Sequence, residues 1–505
     1  MTTWDGLLYG IGFALQPGVL IYCLLGVVLG TFVGVLPGIG AMAAISLLLP
    51  VTYYLSAEAA LIMLAGVYYG AQYGGAVASI LLRLPGTPQS AVTALDGYPM
   101  VGQGRAGVAL FAAMASSFAG SVIGIVVLVL LAGWLSRAAT AFGAADYAAM
   151  MILGLVAAST IGTAKLAKGF AMVTLGLLLG CVGTDVNSGV QRFTFGQTEL
   201  LDGINLVALA MGLFGVAEVI ANVQDPDRQG VVERIGLRRL LPGRDDLRRM
   251  RGPIVRGGAL GSFFGALPGT GSTLSSFLSY AMERRVARDP ERFGNGAIEG
   301  VSGPETANNA AAITAFVPTL TLGIPGDPIM ALMLGALVIH GIQPGPLMLE
   351  SRPEMFWGLV ASFGIGNLLL LVLNLPLIGI WVALLRIPFR WLYPAILVFV
   401  CLGVYSVRGL TFDIVAVAAI GLAGYLLALA SFSPALLLLG FVLGPLIETN
   451  LRRALLISRG DPMVFLERPI SAGFVAVIAG LLLFSLWQAW QRHRRRARAE
   501  RQPAA

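Results

Sequence analysis

Residues 302–328, SGPETANNAAAITAFVPTLTLGIPGDP, place ionisable and amide side chains inside a strongly apolar stretch. Glu305 begins an otherwise apolar helix, and an ionisable group at membrane depth indicates a functional role. The adjacent amides of Asn308 and Asn309 favour ion or ligand binding, because two amides early in such a helix have little packing value. Ser302 and Glu305 also have capping-box spacing. The sequence therefore leaves open whether Glu305 only caps this helix or also binds an ion or substrate.

Four Pro-Gly breaks interrupt apolar sequence, in GVLPGIGA (34–41), LPGTP (84–88), GALPGTGS (265–272) and IPGDP (324–328). A helix that starts after such a break directs free N–H groups and about half a positive charge toward it, which attracts a carboxylate. Interrupted carbonyl ends instead attract a small cation. Broken backbone at membrane depth survives only where protein or a water-filled cavity supplies partners. We therefore expect the four breaks to line one cavity for an anionic substrate and a coupling Na⁺ or H⁺.

The predicted site residues come from these breaks and from the polar run. The predicted substrate-binding residues are Pro37, Gly38, Gly40, Gly86, Thr87, Ser90, Pro268, Gly269, Thr270, Gly271, Ser272, Asn308, Asn309, Pro325 and Gly326. The predicted cation-binding residues are Glu305, Asn309, Asp327 and Thr273. For Asp327, the alternative is a cap on the half-helix that follows the break. No cofactor, and no metal other than Na⁺, is predicted.

The composition places the chain in a membrane. Of its 505 residues, 57% are hydrophobic and only 12% are charged, whereas about one quarter of an ordinary soluble domain is charged. Apolar windows close to the roughly 20 residues of a spanning helix recur almost from end to end. The sequence therefore predicts an all-α, multi-pass membrane protein that contacts the lipid bilayer.

The chain repeats itself. Residues 26–40 and 257–271 are identical at nine of fifteen positions, an offset of 231, and LPGTP and IPGDP repeat at an offset of 240. The polar insert near ERRVARDPER accounts for the difference between these two offsets. In both hairpins glycines recur at four-residue steps, which favours close helix packing. We predict a repeat over 1–222, a linker over 223–252, a second repeat over 253–491 and a basic tail over 492–505, each repeat containing a helical hairpin and a discontinuous helix.

Arginine clusters predict the orientation of the repeats. Nine arginines lie between residues 225 and 256 and six in the tail QRHRRRARAER, and basic clusters beside spanning helices mark the cytoplasmic side. This distribution also argues against nucleic acid as a partner. An odd number of crossings in the first half makes the two repeats antiparallel, the plan of secondary transporters with broken helices. The segment NLRRALLISRGDP fits poorly, because this topology places it in the periplasm.

Other classes of function lack their motifs. An intramembrane enzyme would need a metal set, a Ser/His pair or paired aspartates, but there is no HExxH and the two histidines are His340 and His493. Three scattered cysteines argue against a disulfide framework or a Cys-x-x-Cys metal site. No GxxxxGK[ST] motif indicates ATP hydrolysis. A passive anion channel or carboxylate facilitator stays open, and it would show flux without coupling to an ion gradient.

The motifs LPGIGA, LPGTGS, YYGAQYGGAVASILLRLPGTP, ALDGYPM, GPETANNAA, LGIPGDP and IHGIQPGP resemble the large membrane subunit of the tripartite tricarboxylate transporters, the TctA family. The resemblance covers nearly the whole chain and implies a carrier in the bacterial inner membrane that takes up citrate or another carboxylate on an ion gradient. It also implies two partners, a small four-helix membrane subunit and a periplasmic solute-binding protein, and kinship with elevator carriers. The family motifs fall on residues 36–40, 84–88, 267–271, 303–309 and 324–328.

Overall fold

The computed structural model describes residues 3–36, 40–139, 141–161, 166–185, 188–223, 240–267, 271–345, 348–384 and 389–499. Within these ranges the chain is almost entirely helical. The strands β1 (Gly183–Thr184) and β2 (Gln191–Arg192) form a short antiparallel pair. The predicted all-α class is therefore confirmed.

The helices of the first half precede the arginine-rich linker. They are α1 (Thr3–Ala14), α2 (Pro17–Val35), α3 (Gly40–Thr52), α4 (Ala57–Leu82), α5 (Thr93–Gly102), α6 (Ala106–Ala139), α7 (Ala144–Ile161), α8 (Leu166–Gly180), α9 (Leu206–Ala210) and α10 (Ala217–Asn222). A π-helix, Met211–Val216, joins α9 to α10, and short 3-10 helices cover Pro88–Ala91 and Thr198–Leu200.

The helices of the second half begin inside the linker. They are α11 (Arg244–Gly265), α12 (Gly271–Val286), α13 (Glu299–Thr314), α14 (Phe316–Leu322), α15 (Pro328–Ile339), α16 (Met348–Ser351), α17 (Pro353–Asn374), α18 (Ile378–Leu384), α19 (Phe389–Arg408), α20 (Thr411–Leu429), α21 (Pro434–Ile457), α22 (Val464–Glu467) and α23 (Pro469–Ala499). A 3-10 helix covers Pro290–Arg292.

Several of these helices are suited to a bilayer. Five described helices are long and apolar enough to cross a membrane: Pro17–Val35, Ala106–Leu131, Pro353–Asn374, Thr411–Leu429 and Pro434–Ile457. Shorter apolar helices accompany them, including α3 and α15. A spanning helix satisfies its backbone hydrogen bonds within itself, which is why apolar sequence folds this way in lipid. The chain is an all-α, multi-pass membrane protein.

Each half contains the predicted hairpin. In the first, α2 ends at Val35 and α3 starts at Gly40; in the second, α11 ends at Gly265 and α12 starts at Gly271. Gly40 and Gly271 have φ angles of +67° and +66°, a left-handed conformation that favours glycine. The tips at residues 37–39 and 268–270 lie outside the described residues.

Each half also contains a discontinuous helix. In the first half, α4 ends at a left-handed cap on Arg83 and the chain resumes through the 3-10 helix into α5. In the second half, α14 ends at a left-handed cap on Gly323, 240 positions later, and α15 begins at Pro328. The predicted interruptions at LPGTP and IPGDP are therefore confirmed.

One sequence-based alternative is wrong. Glu305 does not form a capping box with Ser302, because α13 begins at Glu299 and both residues lie inside it. The Ser302 hydroxyl lies 2.7 Å from that of Ser116, and its backbone carbonyl accepts from the Thr306 hydroxyl. Packing of α13 against α6 and α11 extends the helix toward its N-terminus beyond the local capping signal.

The glycine stripes make the same close contact in both halves. A Cβ atom on Gly30 would lie under 3.0 Å from the backbone carbonyl oxygen of Val67 on α4, and one on Gly261 would lie as close to that of Ala307 on α13. A Cβ atom on the glycine one turn before or after Gly30 or Gly261 would also lie under 3.0 Å from a backbone carbonyl oxygen of the facing helix. Val67 and Ala307 are 240 positions apart, which matches the offset of the breaks. Small residues thus bring α2 onto α4 and α11 onto α13 at backbone contact.

Two groups of helices can be distinguished by their packing. We call α2–α6 and α11–α17 the central group, and α7–α10 and α19–α23 the outer group. The groups meet mainly where α3 packs against the π-helix and α19, and where α15 packs against α21. Leu47 of α3 lies beside Gly215 of the π-helix, and Pro50 lies beside Gly403 of α19.

Candidate functional site

A cavity of about 580 Å³ lies where the breaks of both halves meet. Its volume falls within the roughly 300–1,000 Å³ typical of ligand sites. Residues of both hairpins, both discontinuous helices and the outer group line it: Gly40, Ala41, Met42, Ala43, Pro85, Gly86, Thr87, Pro88, Gln89, Phe214, Glu218, Gly271, Ser272, Thr273, Asp327, Pro328 and Ile329. The fold therefore brings interruptions as far apart in sequence as Gly40 and Asp327, 287 positions, to one chamber.

Helix N-termini surround this cavity. The first residues of α3, α12 and α15, helices of 13, 16 and 12 residues, all line it. The first turn of each helix has backbone N–H groups without intrahelical acceptors, together with the positive end of the helix dipole. No lysine or arginine is among the described lining residues. An anion in the chamber would therefore be bound by peptide groups rather than by basic side chains, and it would meet the carboxyl groups of Asp327 and Glu218 there.

Asp327 has two partners at the second break. Its Oδ1 accepts a hydrogen bond of 2.9 Å from the backbone N–H of Met330, so it caps α15. Its Oδ2 accepts from the hydroxyl of the buried Tyr68. The predicted capping function is confirmed. Because Asp327 also lines the cavity, its charge acts on whatever occupies the chamber.

Thr87 occupies the equivalent position at the first break, 240 residues earlier. It lies at the N-cap of the 3-10 helix and lines the cavity without adding a charge. Behind it, Ser90 donates 2.8 Å to the Thr87 carbonyl oxygen and accepts 2.8 Å from Ser79. Ser90 is buried and supports the break from outside the cavity lining.

Gln89 connects three elements at the cavity wall. Its amide nitrogen donates to the side-chain oxygen of Gln72 on α4. Its amide oxygen accepts a 3.4 Å hydrogen bond from the hydroxyl of Thr273 on α12. This chain of polar groups couples the discontinuous helix of the first half to the hairpin of the second.

Glu305 lies in a separate polar cluster. Its side chain is fully buried and accepts hydrogen bonds from Thr93 at 2.5 Å and Ser117 at 3.1 Å. Within the described part of the chain, the side-chain oxygens of Asn308 and Asn309 on the same helix have no hydrogen-bond partner, although both residues are buried. Leaving such oxygens unpaired costs free energy, so a cluster of this composition favours an added donor or cation.

The structure divides the predicted site residues into three sets. Gly40, Gly86, Thr87, Gly271, Ser272, Thr273 and Asp327 line the cavity. Ser90, Glu305, Asn308, Asn309, Pro325 and Gly326 are not part of its lining. Pro37, Gly38, Pro268, Gly269 and Thr270 lie outside the described residues.

Sequence reasoning missed three candidate residues, of which Phe214 and Glu218 line the cavity and Tyr68 contacts the lining residue Asp327. Tyr68 is an ordinary apolar-helix tyrosine in sequence, and only the fold brings its hydroxyl to Asp327. Phe214 and Glu218 belong to the π-helix and α10, and both line the chamber from the outer group. The available signal was Glu218 itself, a single acid within LVALAMGLFGVAEVIAN. π-helical turns are rare and are often found at functional sites.

The comparison with protein-family models identifies one family. Residues 20–439 match the family model of the Tripartite tricarboxylate transporter TctA family. The chain is 51% identical over 478 residues to the "Uncharacterized 52.8 kDa protein in TAR-I ttuC' 3'region" of Agrobacterium vitis, which covers 94% of this chain and 95% of that protein. It is 55% identical over 227 residues to the "Uncharacterized protein in TAR-II ttuC' 3'region" of the same organism, covering 44% of this chain and 94% of that protein. No solved structure matches.

Proposed function

Because the chain belongs to the tripartite tricarboxylate transporter TctA family, we propose that it imports a di- or tricarboxylate across the bacterial inner membrane on an ion gradient. It acts with a small four-helix membrane subunit and receives its substrate from a periplasmic solute-binding protein. The observation that carries this proposal is the convergence of three helix N-termini on a cavity whose described lining has no lysine or arginine. Such a chamber attracts an anion through peptide groups.

The direct test is uptake of labelled citrate and other carboxylates into proteoliposomes that contain the chain and both partners. We expect saturable uptake that requires the binding protein and stops when the ion gradient is dissipated. Equal flux without a gradient would instead indicate a passive anion channel. Absence of carboxylate uptake with every gradient, when all three components are folded and inserted, would contradict the proposal.

The proposed transport by alternating access uses two antiparallel repeats. The end of α15 meets the end of α3, where the imidazole Nε2 of His340 lies 3.0 Å from the carbonyl oxygen of Thr52. The 3-10 helix that leads into α5 packs in turn against α12. Each hairpin therefore contacts the interrupted segment of the other repeat, which supports a related arrangement of the two halves. The linker and the C-terminus are then cytoplasmic.

The contacts between the two helix groups support an elevator movement. On α3, Ser46 and Pro50 are buried, and Pro50 lies beside Gly403 of the outer group. Their counterparts on α12 at an offset of 231, Phe277 and Ala281, are exposed. The outer group therefore contacts α3 rather than α12. In the proposed orientation, these contacts correspond to a central group that is displaced toward the cytoplasm. Raising that group would exchange the two hairpins at the interface and carry the cavity outward.

Two acidic positions suit a coupling cation. The Glu305 cluster offers one carboxylate among neutral side-chain oxygens, which balances a single positive charge such as that of Na⁺. Asp327 supplies a carboxylate at the cavity itself, close to Ser272 and Thr273 in the lining. A cation at either position would offset the repulsion between these acids and an incoming carboxylate.

Asp327→Asn is expected to separate capping from ion binding. Asparagine remains a good N-cap through its side-chain oxygen, and its amide nitrogen can donate to the hydroxyl oxygen of Tyr68, so the variant should retain the stability of the native protein. Its half-saturating ion concentration for uptake should rise about 10-fold or more, the effect expected when a ligand-shell group is lost. Asp327→Ala, which removes the cap as well, should also lower the thermal midpoint. If the Asn variant keeps the native ion dependence, Asp327 is a cap only.

A further inference from the structure

A second cavity lies at the base of the hairpin formed by α11 and α12. This basal cavity has a volume of about 920 Å³ and is bounded by the first half of α11, the end of α12, the loop that follows and the first turn of α13. It shares no lining residue with the chamber described above. Transport by the breaks makes no use of it.

The basal cavity carries an excess of positive charge. Five arginines line it, together with only three acids, Glu283, Asp289 and Glu299. Arg256 is held by two hydrogen bonds to Glu283, of 2.8 Å and 2.5 Å. Arg292 lies 3.8 Å from Glu299. Two of the five guanidinium groups are therefore already paired with carboxylates.

The other three arginines remain available to a ligand. Arg248, Arg249 and Arg288 are exposed, and none has a salt-bridge partner in the described part of the chain. They approach the cavity from two sides, two from α11 and one from the loop after α12. Guanidinium groups present forked donors that match the oxygens of a phosphate, and several converging on one recess favour this anion.

The cavity lies where apolar and basic surfaces meet. After Arg256 the helix α11 continues without charge, as GGALGSFFG, into the membrane domain. Val286 at the cavity wall is 57% exposed and Val255 on α11 is 68% exposed. A recess with arginines above and exposed aliphatic side chains beside them corresponds to the headgroup and acyl regions of one leaflet.

We propose that the basal cavity binds the phosphate of a phospholipid headgroup. Arg248, Arg249 and Arg288 contact the phosphate oxygens, and the paired Arg256 adds positive potential from the cavity wall. The exposed valines contact the beginning of an acyl chain, which distinguishes a lipid from a free phosphate. The bound lipid would anchor the cytoplasmic end of the second hairpin.

The test is a lipid titration of the purified full chain by native mass spectrometry, with dioleoyl phosphatidylglycerol in mixed micelles. The triple variant Arg248→Gln/Arg249→Gln/Arg288→Gln should bind this lipid about 100-fold more weakly, since each basic residue near an anionic lipid contributes roughly fivefold. These side chains are exposed, so the variant should fold. An unchanged affinity in this variant would overturn the proposal.

The chain provides a matched control. Arg251, Arg284 and Arg285 are exposed on the same hairpin and do not line the cavity, so their triple change to glutamine removes equal charge. We expect this control to keep the native affinity within about fivefold, the contribution of one such residue. An equal loss of lipid affinity in both triple variants would mean that the lipid responds to the general surface charge, and it would contradict a specific site in the basal cavity. Displacement of the lipid by glycerol 3-phosphate or by citrate would assign the cavity to a free phosphate or to a carboxylate, and would equally overturn the lipid assignment.

Discussion

Glu305→Gln is expected to abolish ion-driven carboxylate uptake while leaving the protein folded. Glutamine has the shape of glutamate, and its amide oxygen can still accept the hydrogen bond that Thr93 donates. Among the described side chains of the buried cluster, the change removes the one carboxylate that could balance a cation. We expect the affinity for the coupling ion to fall by at least about 10-fold, and uptake at limiting ion concentration to fall in proportion. The measurement is initial uptake rate against ion concentration in proteoliposomes.

The thermal stability of the variant distinguishes loss of the cation site from misfolding. Burying a charged carboxylate without a cation is costly, so a neutral side chain at position 305 should match or exceed the thermal midpoint of the native protein without added ion. The native protein, but not the variant, should be stabilised as ion is added. Glu354→Gln, in the first turn of α17 and outside the hydrogen bonds of the cluster, is the control and should leave ion dependence unchanged. Native ion dependence in Glu305→Gln would exclude this residue from the cation site.

Asn309 provides an independent measure of the same cluster. Its amide nitrogen donates 3.0 Å to the Glu305 carbonyl oxygen, and its side-chain oxygen has no partner within the described residues. If that oxygen binds the cation, Asn309→Ala should weaken ion-dependent uptake in the same direction as Glu305→Gln. Because the two residues would share one ion, their effects should be less than additive in the double variant.

Local sequence signals predicted the interruptions of the fold well. Proline removes a backbone donor, and a glycine such as Gly323 accepts the left-handed cap that ends a helix, so these breaks are determined within a few residues. The hairpins and the glycine stripes follow from equally local rules. The start of α13 does not follow from a local rule, because packing against α6 and α11 outweighed the capping signal at Ser302.

The composition of the candidate site depended on long-range pairing. Tyr68 and Asp327 are 259 positions apart, and Glu218 enters the chamber from a helix group with no break of its own. Tyr68 has no local pattern that marks it, and the single acid at Glu218 does not by itself reveal that this residue faces the chamber. Conversely, the sequence predicted that Glu305 and the two asparagines belong to the same chamber. Side chains that are close in sequence on a helix can nevertheless point in different directions. The fold turns Glu305 toward Thr93 and Ser117 instead, and none of the three residues lines the chamber.

Gly30→Ala and Gly261→Ala are expected to prevent transport and to destabilise the protein, although alanine is the best helix former. The added methyl group would lie under 3.0 Å from the backbone carbonyl oxygen of Val67 or Ala307, and backbone cannot move aside as a flexible side chain can. Overpacking of this kind costs about 1–3 kcal/mol, and a leucine at either position should cost more. The measurements are the thermal midpoint of the purified protein and the uptake rate.

A matched glycine makes the contact argument falsifiable. Gly364 lies inside α17, and a Cβ there would meet nothing within 4 Å. Gly364→Ala should therefore leave uptake unchanged and stabilise the helix by up to about 1 kcal/mol through propensity alone. Gly30 and Gly261 make equivalent contacts in the two halves of the chain. Gly30→Ala and Gly261→Ala should therefore lose transport to the same degree. Normal transport with alanine at both positions would mean that the helices can separate freely, and the close packing of α2 on α4 and of α11 on α13 would then not be needed for function.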